Sequence, residues 1–395
     1  MYQRKQIIEL KDRLNGKKNL IQVITGPRQV GKTTLAVQLT EQITIPNIFI
    51  SADTVQSSNS IWIQQQWDSA RLRMKDLNAK SFLFIIDEIQ KLNNWSEFVK
   101  KEWDKDQRNK SNLKVILLGS STLLINKGLN ESLMGRFEIT KLPHWSYNEM
   151  KDAFGFTPEQ YVYFGSYPGA SDLISDEQRW KDYIRNSIIE ATISKDILQL
   201  TSIQKPALLK NLFELACLYS GEILSYTKIL GQLTDAGNTT TLAHYQNLLN
   251  QVWLILGMQK FSGSKIQTRS STPKWLVYNT SLSSAYEDDN FTSLRNNSIK
   301  WGRKVEQSIG AYLLNHSRVN NYNLFYWRDG NDEVDYVIQK GKKVIAIEVK
   351  LSRVKSHKGL NNFSKKYKPL KTILISDDAL PWQDFLSLDL NHLFD

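Results

Sequence analysis

Residues 26 to 33 read GPRQVGKT, a complete GxxxxGK[ST] pattern, and nothing else in the chain constrains its fold as tightly. The pattern works where a buried strand runs into the start of a helix, because successive loop amides and the positive helix end then cradle phosphate together. The flanks supply both: LIQVIT (20–25) is an unbroken apolar run, and an amphipathic stretch follows the loop. Gly26 and Gly31 let the backbone wrap closely round phosphates, and Pro27, Arg28, Gln29, Val30 and Thr34 complete the cofactor-binding stretch. Lys32 reaches the β and γ phosphates, while the Thr33 hydroxyl ligates magnesium, so the expected cofactors are ATP and Mg2+. A chance match in a glycine-containing turn is the competing explanation, and the strand and helix on either side leave it little room.

A second element supports the first. SFLFIIDE (81–88) ends a buried apolar run in Asp87 and Glu88, and acids are tolerated there only when something pairs with them. Asp87 is expected to hold the metal, and Glu88 to act as the catalytic base that polarises the attacking water. VILLG ends in Ser120 and Ser121, where a polar side chain can sense the γ phosphate; ordinary turn serines explain the pair equally well. Arg136, just before the run FEITKL, is placed to serve as an arginine finger on a neighbouring subunit's ATP, which requires a homo-oligomer; a structural ion pair is the alternative.

Five short apolar runs, LIQVIT (20–25), NIFIS (47–51), SFLFIID (81–87), LKVILLGS (113–120) and FEITKL (137–142), alternate with helical stretches. Unbroken runs suit a parallel sheet covered on both faces. At 395 residues the chain has room for further domains. The pattern predicts a P-loop core over 1–145, a helical connector over 146–205, a small helical or winged-helix unit over 206–270 and a second α/β unit over 271–395. Within the third of these, 238–258 reads as one helix without a single Lys or Arg, which favours packing or coupling over DNA reading. The last unit shows a helix near 303–315 and strands at NLFYWR, EVDYVIQ, KVIAIEVKL and KTILIS.

Composition narrows the class. A hydrophobic fraction of 41% with 23% charged residues is that of folded domains, and no apolar run is long enough to span a bilayer. Met1 to Leu14 lacks the apolar centre of a secretory signal, and the single Cys217 excludes an intrachain disulfide, so a cytoplasmic location is expected. Of the formal charge of +11, nearly all is concentrated in residues 340–371, which hold 11 Lys or Arg against one acid, Glu348. Such a stretch attracts DNA or RNA, and a merely solvated lysine-rich surface accounts for it as well.

GPRQVGKTTL (26–35), FIIDEIQKLNNW (84–95), LLGSSTLL (117–124), LMGRFE (133–138), YWRDGNDEVDYVI (326–338) and IAIEVKLS (345–352) together resemble the prokaryotic AAA+ P-loop ATPases that carry a C-terminal domain of unknown function 4143. The resemblance implies an α/β fold with an AAA+ (ASCE-type) parallel sheet, a winged-helix-like middle and a C-terminal part akin to restriction-type nucleases. Two positions depart from it. The serine pair replaces the asparagine usual at the AAA+ sensor position, and Asn279 stands where an aspartate is expected.

In KVIAIEVKL, the period of two puts Glu348 and Lys350 on one face. With Asp335 from the preceding strand and Glu306 from the helix near Arg303, they resemble a PD-(D/E)xK nuclease core, which implies a second divalent metal. Cross-strand ion pairs on a half-exposed sheet are the plainer alternative. Three functions stay open: ATP hydrolysis that drives rearrangement of the C-terminal part, an ATP-regulated metal-dependent nuclease, and a nucleotide-binding scaffold with negligible turnover.

Overall fold

The five apolar runs of the N-terminal part all become strands: β1 (Ile21–Thr25), β2 (Asn47–Ser51), β3 (Phe82–Asp87), β4 (Leu113–Leu118) and β5 (Phe137–Lys141). They form one sheet in the order β2-β3-β4-β1-β5, with every pairing parallel. β1, β3 and β4 are buried almost throughout, which is why their sequences are apolar without alternation. The order inserts β4 between β1 and β3, so the loop after β1 and the acids ending β3 lie two strands apart at the same, carboxyl-terminal edge of the sheet. The helices Ile61–Asp76 and Trp95–Arg108 contribute Trp67, Trp95 and Val99 to the core that covers Phe82, Phe84 and Ile86, and the Trp67 and Phe84 rings meet edge to face at 5.3 Å.

This computed structural model describes residues 1–16, 18–119, 125, 128–129, 132–198, 203–233, 237–263, 271–351 and 357–394. They fall into two compact units, Met1–Leu142 and Pro143–Asp395. No described helix is long and apolar enough to cross a membrane.

The second unit begins with two short helices, Tyr147–Phe154 and Pro158–Phe164. Each is started by a reciprocal capping box, Ser146 with Glu149 and Thr157 with Gln160. Helical turns continue through 177–198, partly with the wider π spacing. The helices Pro206–Leu218, Tyr226–Leu230 and Thr239–Gln251 follow, then an antiparallel pair, β6 (Ile255–Met258) and β7 (Lys274–Val277). The long helix Ser298–Asn320 leads into a four-stranded sheet of β8 (Asn323–Asp329), β9 (Asp332–Lys340), β10 (Lys343–Val349) and β11 (Lys371–Ile375), ordered β11-β10-β9-β8. Its first three strands are antiparallel neighbours, and β11 joins β10 in parallel after the helix Lys358–Tyr367. Trp327, Val337, Ala346 and Phe363 lie in the core on this sheet.

One expected element is shorter than its sequence pattern. The stretch 238–258 is not a single helix: the helix stops at Gln251, Trp253 takes a left-handed φ of 62°, and the chain enters β6 at Ile255. A tryptophan in that conformation breaks the helical hydrogen-bond run, and pairing of Ile255 with Val277 then satisfies the backbone as strand. Asn279 also has a definite role. Its carboxamide oxygen caps the helix Thr280–Ser284 at Ser281 and accepts from the Ser166 amide at 3.0 Å, while its NH2 donates to the Ser166 hydroxyl at 3.1 Å. An aspartate would lack that donor. Gly165, in the GSYPG turn, must lack a side chain because a Cβ there would lie 2.0 Å from the Asn279 oxygen.

Candidate functional site

The loop after β1 folds around its glycines. Gly31 takes a φ of 88°, a conformation open to glycine, and the helix Lys32–Gln42 starts directly after it. Gly26 is needed for space: a Cβ there would lie 2.1 Å from the Leu142 carbonyl oxygen. Lys32 is 8% exposed and donates to the carbonyls of Pro27 at 2.7 Å and Gly26 at 3.1 Å, so its ammonium is folded over the loop that its charge serves. Arg4, buried at 3% exposure, approaches the Val30 carbonyl at 3.5 Å, which brings an N-terminal residue to the loop that sequence reading did not single out.

β3 delivers the acids. The Thr33 hydroxyl donates to Asp87 Oδ2 at 2.8 Å, and the Glu88 amide donates to Asp87 Oδ1 at 2.9 Å. The separate sequence elements at 26–33 and 87–88 are thus joined by one direct hydrogen bond. Burial pushes the Asp87 carboxyl above its ordinary value, against the opposing effect of the Thr33 hydrogen bond. Glu88 takes a left-handed φ of 55°, and Gln90 Nε2 donates to its Oε2 at 2.6 Å. Gln90 therefore orients the carboxylate expected to act on water, and its spacing, two residues past the acid, is the only sequence signal for it.

Residues able to ligate Mg2+ through oxygen, Thr33 and Asp87, are adjacent and mutually held, and a buried ammonium stands at the loop; this donor set fits a magnesium-bound triphosphate. Ser120 and Ser121 lie outside the described residues. Arg136 forms a forked ion pair with Asp104, Nε to Oδ1 at 2.8 Å and Nη2 to Oδ2 at 3.3 Å, and its guanidinium lies 5.8 Å from the Trp103 ring centre. The ion-pair alternative thus has its partner within the same chain.

In the second unit, the four residues Glu306, Asp335, Glu348 and Lys350 do come into one neighbourhood, with two more that the sequence did not suggest, Lys274 and Glu333. Lys274, the first residue of β7, is 1% exposed, and its ammonium lies 2.8 Å from Glu306 Oε1, 3.3 Å from Glu333 Oε1 and 3.5 Å from Asp335 Oδ1. Burial opposes its charge, but Glu306 and Asp335 outweigh burial and hold the ammonium well above its ordinary pKa. Asp335 Oδ2 accepts the Val349 amide at 2.8 Å, and Lys350 Nζ stands 3.6 Å from Glu348 Oε1. Burial and the nearby Asp335 carboxylate push Glu306 up to about 7. The second divalent metal expected here is not supported. Among the described residues, no group of three or more His, Cys, Asp or Glu is disposed to hold one, and an ammonium ion occupies the space between the acids.

Cys217 is buried, and burial pushes its thiol well above the ordinary range. Of the basic stretch, Lys340, Lys342, Lys343, Lys358, Lys365, Lys366, Lys368 and Lys371 are exposed, whereas Arg353 and Lys355 lie outside the described residues.

Residues 18–151 match the family described as AAA domain, 156–293 a domain of unknown function (DUF8612), and 301–389 a domain of unknown function (DUF4143). An uncharacterized protein of Methanocaldococcus jannaschii is 25% identical over 393 residues, covering 93% of this chain and 83% of that protein. An uncharacterized protein of Mycobacterium tuberculosis is 23% identical over 337 residues, covering 83% of this chain and 69% of that one. Among solved structures, the Thermotoga maritima RuvB Holliday junction branch migration motor is remotely similar, at 16% identity and a TM-score of 0.33, over 64% of this chain and 87% of that one. The all-parallel sheet and the phosphate loop joined to Asp87 agree with the match of residues 18–151 to the family described as AAA domain, in a chain whose residues 301–389 match DUF4143.

Proposed function

We propose that this protein is a magnesium-dependent ATPase whose ATP cycle drives rearrangement of its C-terminal part. The Thr33–Asp87 hydrogen bond of 2.8 Å carries the reading, because it sets the two metal-ligating side chains beside the phosphate loop with Glu88 next in sequence. Magnesium, when bound, supplies charge neutralisation on the phosphate oxygens. Gly26 to Thr34 bind the nucleotide. Lys32 exchanges its loop carbonyls for phosphate oxygens, Thr33 and Asp87 hold the metal, and Glu88, oriented by Gln90, takes a proton from water. Ser120 is proposed as a γ-phosphate sensor, and Arg136 as a finger for a neighbouring subunit, a role that requires it to leave Asp104.

Three helices followed by the β6–β7 pair support a winged-helix-like middle, and the β11-β10-β9-β8 sheet with its long helix supports a restriction-endonuclease-like last domain. The exposed lysines of 340–371 suit a nucleic-acid backbone, and the lone buried Cys217 suits a cytoplasmic protein. The test is phosphate release by purified protein with ATP and Mg2+, with and without DNA and RNA. Turnover should be present in the parent and lost in Lys32→Ala and Glu88→Gln. ATP held tightly with no phosphate formed would replace the ATPase by a nucleotide-bound scaffold.

A further inference from the structure

We propose that Lys274 is itself the cation of the C-terminal acid cluster, standing where a nuclease-type site places a divalent metal. The cluster therefore holds no such metal while Lys274 is in place, and a latent divalent-cation site appears when its charge is removed. This inference does not depend on ATP hydrolysis.

Four carboxylates, Glu306, Glu333, Asp335 and Glu348, face two ammonium groups, Lys274 and Lys350. Carboxylates so enclosed need a compact positive charge among them. An ammonium with three donors meets that need, and Lys274 spends its reach on Glu306, Glu333 and Asp335. A hard divalent cation would use the same oxygens at about 2.0–2.6 Å, so the two cannot share the space. The lysine is anchored for this task. β7 pairs Lys274 with Met258 on one side, and a bridge joins it to Ile223 on the other, which fixes the root of its side chain. Its ammonium lies 5.3 Å from the Tyr336 ring centre, and the Tyr336 hydroxyl in turn donates to the Glu306 carbonyl. A second, separate observation points to a cation position: Glu348 is 5% exposed, yet its Oε2 has no hydrogen-bond partner among the described residues. That oxygen is what a cation would take up once the ammonium is gone.

The plug arrives from a different segment than the acids. Lys274 belongs to the stretch matching DUF8612, and the four carboxylates lie in or beside the stretch matching DUF4143, so the ion cluster ties the β6–β7 pair to the last sheet.

The experiment is Mn2+ binding to the full-length, nucleotide-free protein, counted from the free-ion electron-spin signal. The parent and Glu348→Gln should retain the same amount of Mn2+. Lys274→Met, which keeps an apolar stem without charge, should gain one Mn2+ per chain at least tenfold tighter than any the parent holds. Lys274→Met with Glu348→Gln should lose it, and Lys274→Arg should not gain it. Mn2+ held by the parent and lost in Glu348→Gln would overturn the proposal, as would a folded Lys274→Met that gains no ion. Should Lys274→Met fail to fold alone, Mn2+ must restore a cooperative melt, and failure to do so also overturns it.

Discussion

In the proposed magnesium site, Asp87 meets two demands that oppose each other. Magnesium needs an ionised carboxylate, while burial at 8% exposure favours the protonated one and pushes its pKa up. Between the ordinary carboxylate value and that raised one, the folded chain holds a proton which the unfolded chain has released, so this group's contribution to stability falls as pH rises through the window. Above it, the ionised carboxylate is carried at a cost. Asp87→Asn should therefore raise the melting temperature of nucleotide-free protein at neutral pH, with the Thr33 hydroxyl able to reverse and accept. Magnesium-dependent phosphate release should meanwhile fall by about 10²-fold or more. A lower melting temperature in calorimetry would show that ionised Asp87 stabilises the empty site. Glu306 follows the same sign: raised from 4.5 to about 7, it weakens the folded state progressively as pH climbs between those values. Replacing it by Gln should flatten the dependence of urea stability on pH over that interval. A profile as steep as the parent's would assign the dependence to other groups.

The elements around these residues are held by contacts of very different legibility. Arg71, on the helix Ile61–Asp76, bridges Glu102 at 2.6 Å and Asp106 at 2.8 Å on the helix Trp95–Arg108, and Asp106 also accepts from the Trp67 indole at 2.6 Å. Both acids are nearly inaccessible, so Arg71→Ala strands two buried charges and should cost about 3–5 kcal/mol in urea unfolding. A loss below about 1 kcal/mol would mean that water reaches them. In the second unit, Gly359 lets the helix Lys358–Tyr367 lie directly on β9, since a Cβ would stand 2.1 Å from the Glu333 carbonyl oxygen. Gly359→Ala should destabilise by about 1–3 kcal/mol and disturb the Glu333–Lys274 pair with it. β1, β3 and β4 were legible because fully buried strands announce themselves as apolar runs, and the half-exposed edge strands β2 and β5 by their short β-branched and aromatic runs. The end of the helix at Gln251 was not, because QVWLILGM keeps an apolar pattern in either conformation and the break rests on one left-handed tryptophan. Lys274 was illegible for another reason. Ahead of WLVYN it looks like a solvated flank, and its burial depends on acids 32 to 61 residues further on.

At the scale of the whole molecule, the question is whether one chain completes its own nucleotide site. Lys32, Thr33, Asp87 and Glu88 are assembled within a single unit. Arg136 is committed to Asp104 in that same unit, with Nε and Nη2 engaged at 2.8 and 3.3 Å. A half-exposed pair of this kind is worth about 1 kcal/mol or less, a cost that subunit association readily offsets. A finger acting across subunits makes a distinctive demand, because two defects in different chains then complement each other. Lys32→Ala chains keep Arg136 but cannot use ATP; Arg136→Ala chains keep the phosphate loop but have no finger to lend. Each variant alone should turn over ATP at least about 10³-fold more slowly than the parent. Mixed in equal amounts, they should recover a substantial part of the parental rate, and the recovery should grow with protein concentration as hybrids form. Arg136→Ala turning over at the parental rate with a lowered melting temperature would instead confine that arginine to its ion pair with Asp104.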